Sequence, residues 1–179
     1  MSQVGFMVLD FVFRLGCILF LARFLLQACN ADFYNPLSQA VVKATNPLCN
    51  PLRAILPNSG RWDVASLLVA WLVSVAFIGV LIGLSEQVFA PLTLLLGGLL
   101  RTALVLTQFY WWTILITIIA SWITQGQYNP VIGLLNQLTE PLLAPVRRVL
   151  PNFGPLDLSP MLVLLGLIVL ETLIRGVQF

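Results

Sequence analysis

The sequence predicts an all-α integral membrane protein: about four transmembrane helices in two parallel repeats, with short interfacial helices between the spans of each repeat. Three observations predict it. Hydrophobic residues make up 59% of the 179-residue chain and charged residues 9%, with mean hydropathy +0.97, where a soluble domain carries roughly 25% charged residues. So few charges cannot cover a surface that faces water. Apolar runs long enough to cross about 30 Å of hydrocarbon recur along the chain. The chain also repeats itself: moved by 94 positions, Tyr34-Asn35-Pro36 falls on Tyr128-Asn129-Pro130, and 15 of the 36 positions from Tyr34 to Val69 are identical without a gap. A duplication decides architecture before local pattern does. It also supplies an internal alignment, in which a residue kept in both copies answers a need of the repeated unit.

The first unit, residues 1–85, opens on a span at 6–28. This run reads as a retained helix. No Lys or Arg precedes Arg14, and Arg14 and Arg23 interrupt it, whereas a cleaved leader has a basic start and a clean apolar core. An interfacial region at 35–57 follows. Asn35 is a good N-cap, and Pro36 at the first helical position gives up no needed N–H, so a short helix is expected over 36–44. Thr45 then caps a second short helix in Thr-x-Pro-Leu-x-x-Pro-x-Arg, with Pro47 near its start and Pro51 kinking it one turn in. Pro57 and Gly60 end it in a Leu-Pro-Asn-x-Gly turn. Asp63 caps the second span, 64–84, where a carboxylate also meets the helix dipole favourably. Gly79-x-x-x-Gly83 in that span permits close helix approach, within the chain or between copies.

The second unit, residues 86–179, repeats the plan. The repeat offset places the third span at 100–122, with Phe109-Tyr110-Trp111-Trp112 mid-membrane although aromatics favour the interfaces. Residues 88–99 are then an interfacial or re-entrant segment, or an extension of the third helix. The interfacial region at 129–151 carries Asn129 and Pro130, a short helix at 130–138, then Thr139, Pro141 and Pro145, and a turn at Pro151 and Gly154. Asp157 opens the last span, 158–177. In the two surface regions, Leu48, Leu52, Ile55 and Leu56, and in turn Leu142, Val146, Val149 and Leu150, are expected to form the membrane-facing side.

Charge orients this arrangement. Lys43, Arg53 and Arg61 lie in the first connection and Arg147 and Arg148 in the second, while the connection at 85–99 and the N-terminal tail carry none. By the positive-inside rule both motif regions face the cytoplasm and both termini lie outside. Net charge is only +2, so no basic face suggests nucleic acid.

Two sets of residues can carry chemistry. Arg53 precedes Asp63 by ten positions and Arg147 precedes Asp157 by the same ten, across the Pro-Asn turn. A fold-back there pairs guanidinium with carboxylate at the membrane surface. Such a pair either pins the surface helix to the span or binds an anionic headgroup or partner protein; Arg148 adds a charge in the second copy alone. Within the spans, Asp10 and Arg14, and Glu171 and Arg175, stand four apart in the better-oriented order. Ionisable groups at membrane depth are functional candidates by default. Asp10 and Arg14 map onto Leu104 and Gln108, so any role here is asymmetric, and local neutralisation with helix packing is its simplest form. The chain has no histidine, which removes the usual proton shuttle and the Ser-His or Cys-His pair. Cys17, Cys29 and Cys49 map onto Trp111, Ile123 and Leu143 and read as small apolar filler. No cofactor is expected, since no phosphate-binding loop, metal-ligand cluster or nucleophile beside a base is present.

The stretch Thr139-Glu-Pro-Leu-Leu-Ala-Pro-Val-Arg-Arg-Val-Leu-Pro-Asn-Phe-Gly-Pro-Leu-Asp-Leu-Ser-Pro160 strongly resembles the signature of the YggT (YlmG-like) family of small bacterial and plastid membrane proteins. The resemblance covers nearly the whole chain as two tandem units. The second copy departs from the pattern at Asn152 and Pro155. The first departs further, with Asn46 for Glu, Ala54 for the second Arg and Ala65-Ser66 for Ser-Pro, so the second copy is the better binding candidate. The resemblance implies a multi-pass bacterial inner-membrane protein without known catalysis, linked to osmotic or ion-stress tolerance. Relatives are linked to division-associated gene neighbourhoods and, in plastids, to cytochrome assembly and nucleoid organisation. The function expected is a non-enzymatic scaffold or accessory protein that touches membrane lipid, docks a protein partner at its cytoplasmic motif surface and can form homo-oligomers. The alternative is a small channel or transporter component in ion (K+-related) homeostasis, suggested by Asp10, Arg14 and Arg101 at membrane depth. A membrane enzyme is the weakest reading.

Overall fold

The computed structural model describes residues 2–56, 60–85, 90–124, 129–150 and 157–177. Six helices follow one another: α1 (Gln3–Ala28), α2 (Pro36–Arg53), α3 (Val64–Ser85), α4 (Pro91–Thr124), α5 (Pro130–Val149) and α6 (Ser159–Val177). Four of them, α1, α3, α4 and α6, are long and apolar enough to cross a membrane. The described residues are helical or irregular, with no strand.

The helix ends follow from local chemistry. Ser2 starts α1, its hydroxyl accepting from Gly5 N at 3.2 Å. Asn35 and Asn129 start α2 and α5, their side-chain oxygens accepting from Leu37 N and Val131 N at 2.9 Å each, with Pro36 and Pro130 at the first helical position. Asp63 accepts from Ser66 N, and Asp157 from Ser159 N at 2.9 Å, at the entries to α3 and α6. Gly60 adopts φ +64, a backbone conformation that glycine enters freely. Pro57, Pro151 and Gly154 lie outside the described residues.

One expectation is corrected, and one set of alternatives is decided. The segments between spans do not form pairs of short helices split at Thr45 and Thr139. Each is one continuous helix, with Pro47 and Pro51 inside α2 and Pro141 and Pro145 inside α5. A threonine cap needs non-helical backbone. Instead both threonines are fully buried in mid-helix and return their hydroxyls to the preceding turn, Thr45 Oγ1 to Val41 O at 2.6 Å and Thr139 Oγ1 to Leu135 O at 3.0 Å. This back-bonding is the usual way a helical threonine satisfies itself. Of the three alternatives for residues 88–99, the described part, 91–99, is the extension of the third helix, because α4 runs unbroken from Pro91 to Thr124. At about 1.5 Å per residue its 34 residues exceed the ~30 Å hydrocarbon core by more than a third.

Within each repeat the first helix packs on the second and third, and the second on the third; between repeats α3 packs on α4, and α1 on α4. One core cluster joins Cys17, Phe20 and Leu21 of α1 to Cys49, Val69, Ala70 and Val105. Another joins Leu25, Leu26 and Ala31 to Leu134 and Leu138 of α5, with Phe109 and Tyr110 against it. The mid-helix aromatics therefore fill the inter-repeat seam, although Trp112 stays exposed. Within the chain, the close helix approach is not at Gly79 and Gly83. A Cβ on Gly79 would make ordinary contact with Leu94, and one on Gly83 would meet nothing within 4 Å. It is at Gly98 of α4, where a Cβ would stand 2.4 Å from Val75 Cγ2 and 3.2 Å from Val75 Cα. Beside it Thr102 donates to Ser74 Oγ at 2.9 Å, and Trp71 Nε1 to Leu95 O at 3.2 Å.

Gly98→Ala forces α3 and α4 apart and lowers stability by about 1–3 kcal/mol, the usual range for overpacking. Gly83→Ala is silent. Thermal unfolding of the two variants in detergent measures the difference.

Candidate functional site

Asp63, one residue ahead of α3, is the centre of the first motif copy. Arg53, from the last turn of α2, reaches it with both Nε (3.2 Å to Oδ1) and Nη2. Ser66 Oγ donates to Oδ2 at 2.5 Å. The third partner was not legible in the motif: Arg23, on α1, points Nε at Oδ2 at 3.4 Å and donates Nη1 to Val42 O at 2.8 Å and Thr45 Oγ1 at 2.7 Å. Pro47 and Pro51 withdraw two N–H groups from the α2 ladder, and Arg23 binds the turn just before them from outside. The Arg23 and Asp63 side chains are 5% and 3% exposed. One carboxylate thus ties together α1, α2 and the entry to α3. The signal for Arg23 was an arginine inside an apolar run, which has to find a carboxylate or a carbonyl nearby.

The second copy builds the same fold-back and leaves it open. Arg147 donates Nε to Asp157 at 3.0 Å and Nη1 to Glu140 at 3.1 and 3.3 Å. Here Arg147, Asp157 and Glu140 are 45%, 43% and 55% exposed, and Arg148 beside them is exposed too. The 94-residue offset explains the contrast. Arg23 is replaced by Thr117, whose hydroxyl turns back to Thr113 O, and Asn46 by Glu140. Cys49, which meets Ser66 Oγ at 3.4 Å, is replaced by the buried Leu143.

Burial opposes ionisation of Asp63, but the bonds from Arg53 and Ser66 outweigh it and hold the carboxyl below the usual range. Burial likewise works against Asp157, where bonds from Ser159 and then Arg147 win, again lowering it. Arg147 is raised: its slight desolvation is outweighed by Asp157 and Glu140. Burial pushes the Cys29 thiol up, away from the reactive thiolate. No three His, Cys, Asp or Glu side chains converge as metal ligands among the described residues.

The motif copies are also held to each other. Asn35 donates Nδ2 to Pro130 O at 2.7 Å, and Asp32 N donates to Gln137 Oε1 at 2.9 Å. The expected membrane-facing side chains divide: Leu48, Ile55 and Val149 are exposed, whereas Leu52 packs against the first core cluster.

Within the spans the two i,i+4 pairs are not isolated. Asp10 accepts from Arg14 (2.9 Å) and from Arg101 of α4 (2.8 Å). Arg14 donates to Gln108 at 3.3 Å, Gln108 to Glu171 at 2.8 Å, and Arg175 to Glu171 at 2.8 Å. Local neutralisation is therefore only part of the account, since six polar side chains from three helices form one chain. Arg14 and Gln108, equivalent positions of the two repeats, bond directly. Arg101 also lies 3.5 Å from the centroid of the Phe77 ring.

Fold and site define a helical membrane protein of two tandem units, each folding an arginine back onto an aspartate at the entry to its second long apolar helix. The CCB3/YggT family matches twice, over residues 2–84 and 96–178. An uncharacterized protein of Pseudomonas aeruginosa is 40% identical over 177 residues, 97% of this chain and 89% of its own length. The Escherichia coli K12 protein named "Uncharacterized protein YggT" is 40% identical over 164 residues, 92% of this chain and 85% of its own. An uncharacterized Haemophilus influenzae protein is 33% identical over 160 residues, 89% and 85% of the two chains. No solved structure matches. The chain belongs to the CCB3/YggT family, as two tandem repeats.

Removing one member of a buried ion pair strands the other, which costs about 3–5 kcal/mol, whereas an exposed pair contributes about 0–1 kcal/mol. Denaturant titration in detergent is expected to find Arg23→Ala strongly destabilised and Arg147→Ala nearly wild type. Because the Asp63 value is depressed, its stabilisation is complete above the unfolded aspartate value of about 3.9 and is lost as pH falls through the lower folded value. Tryptophan fluorescence through an acid titration should show this limb in the wild type and lack it in Asp63→Asn.

Proposed function

We propose that the chain is a non-enzymatic scaffold of a bacterial inner membrane, docking a protein partner on the motif face. In this reading α2 and α5 lie at the cytoplasmic interface and both termini are periplasmic, as the excess of Lys and Arg in the two motif connections favours. The observation that carries the reading is the divergence of one motif into two forms. The first copy spends Arg23 and Arg53 inward, on Asp63. The second keeps Glu140, Arg147, Arg148 and Asp157 at the surface, beside the exposed Val149. Left at the surface, the second pair contributes only about 0–1 kcal/mol to holding its helix. A mixed-charge cluster left beside an exposed apolar side chain suits a membrane-proximal protein segment that presents both charge signs and an apolar contact. Tolerance of osmotic or ion stress would then follow from what is assembled on this face. The channel reading is favoured by the polar chain through Asp10, Arg14 and Glu171. Against it stands the apolar packing of Phe20, Leu21 and Val69 between that chain and the motif face.

Photocrosslinkers placed at Val149 and Arg148 in living cells test the scaffold reading. A discrete protein adduct is expected that weakens severalfold in Arg147→Ala. Adducts to lipid or to a second copy alone, unchanged by that substitution, overturn it.

A further inference from the structure

The end of the bundle away from α2 and α5 holds a cavity of about 770 Å³ between α1, α3, α4 and α6. Its origin is a contact between the repeats that is made on one side only. α3 of the first repeat packs on α4 of the second, held by Gly98 against Val75, Thr102 on Ser74 and Trp71 on Leu95. The equivalent contact, 94 positions on, would set α6 against α1, and it is not formed to a comparable extent. Each device is lost there. Gly98 corresponds to Val4, Thr102 and Ser74 to Val8 and Ile168, and Trp71 to Leu165, all exposed. α1 and α6 therefore stand apart, and the gap between them is the cavity.

Its lining joins two chemistries. Phe6, Phe77, Leu96, Leu100 and Leu104 make apolar walls, while Arg14, Arg101 and Arg175 reach it with Asp10 and Gln108. Among the described residues the polar chain sets three guanidinium groups against the carboxylates of Asp10 and Glu171, leaving one positive charge in excess. A charge at membrane depth is costly unless paired. Arg14 and Arg175 keep 43% and 57% of their side chains exposed, and Arg14 Nε has no acceptor among the described residues. The volume lies in the range of about 300–1,000 Å³ typical of ligand pockets.

We infer that this cavity binds an anionic phospholipid, its phosphate on the face made by Arg14, Arg101 and Arg175 and its glycerol and first acyl carbons against Phe6, Phe77 and Leu104. The anion supplies the missing negative charge. The apolar walls select an amphiphile over a free anion, and the flanking faces of α1 and α6 expose Val8, Phe11, Leu170 and Leu173 to the lipid from which it enters. A zwitterionic lipid carries its own ammonium and leaves the excess uncompensated.

Native mass spectrometry of the full chain in detergent, titrated with phosphatidylglycerol, phosphatidylethanolamine or inorganic phosphate, tests this. Phosphatidylglycerol should be retained at least about tenfold more tightly than phosphatidylethanolamine, and the Arg14→Gln/Arg175→Gln variant should lose about tenfold or more. Arg147→Gln/Arg148→Gln, which removes the same charge at the other face, should keep wild-type retention. Asp10→Asn, which frees two guanidinium groups, should bind more tightly, a gain that a merely structural carboxylate would not give. Equal retention of the two lipids, equal loss in both double variants, or displacement of phosphatidylglycerol by millimolar inorganic phosphate overturns the assignment. The Asp10→Asn arm still decides should the arginine variants fail to fold.

Discussion

Asp63 is the point on which the first repeat closes. It precedes α3, but its partners come from the last turn of α2 and from within α1. A carboxylate in so apolar a chain cannot be left alone, nor can the two arginines, so the cost of separating them fixes where α2 lies against the spans. The same arginine that reaches Asp63 also binds the α2 turn ahead of its two prolines. A helix interrupted by Pro47 and Pro51 stays continuous with that turn held from outside, and Thr45 is buried as acceptor for Arg23 and donor to its own helix. Four of the residues kept between copies, Thr45, Pro47, Pro51 and Asp63, thus belong to one arrangement.

The second copy keeps these residues and anchors them differently. α5 buries Leu134, Leu138 and Leu143 against its surroundings. The positions matching the first two are Ala40 and Ala44, exposed on α2, and the position matching Leu143 is Cys49. Apolar burial of about 25 cal/mol per Å² takes over the holding role that charge has in the first copy. With α5 seated by leucines, Arg147, Asp157 and Glu140 are released from structural duty and remain at the surface. The departures of the first copy from the family signature coincide with this division. Asn46 stands where the exposed copy has Glu140, and Ser66 donates to Asp63 where the second copy has Pro160.

Much of this was legible from residues alone. Long apolar runs, Asn-Pro helix starts, and an Arg and an Asp ten apart are local or repeated signals, and the structure brings each of those pairs together. What the repeat obscured was whatever the two copies do not share. Used as a filter, it marked Asp10 and Arg14 as asymmetric because their counterparts are Leu104 and Gln108, and it drew no attention to Arg23, whose counterpart is Thr117. Yet Gln108 bonds to Arg14 across the repeat interface, a relation that no comparison of one copy with another can reveal. Thr45 and Thr139 misled for a different reason. Threonine before proline is a fair cap in sequence, but its hydroxyl can return to the helix just as well, and burial decides between the two. Gly98 escaped notice because a GG pair in an apolar run carries no spacing signal, whereas Gly79-x-x-x-Gly83 does.

Asymmetry between the copies also separates the two ends of the molecule. At the motif end, Asn35, Asp32 and the leucines of α5 join the repeats, and Arg23, Arg53 and Asp63 of the first copy are consumed within it. At the other end the union of α3 with α4 depends on tryptophan and serine of α3 and glycine and threonine of α4, none of which recurs at its 94-shifted position. Their counterparts Val4, Val8, Ile168 and Leu165 are large or apolar and face outward. Such side chains give helices no advantage over lipid, because packing between spans comes from close approach and polar bonds and not from hydrophobicity. A duplication that was equal in both halves would have closed this side too. Because it is not, α1 and α6 part, and arginines that closure would have buried keep access to the surrounding membrane.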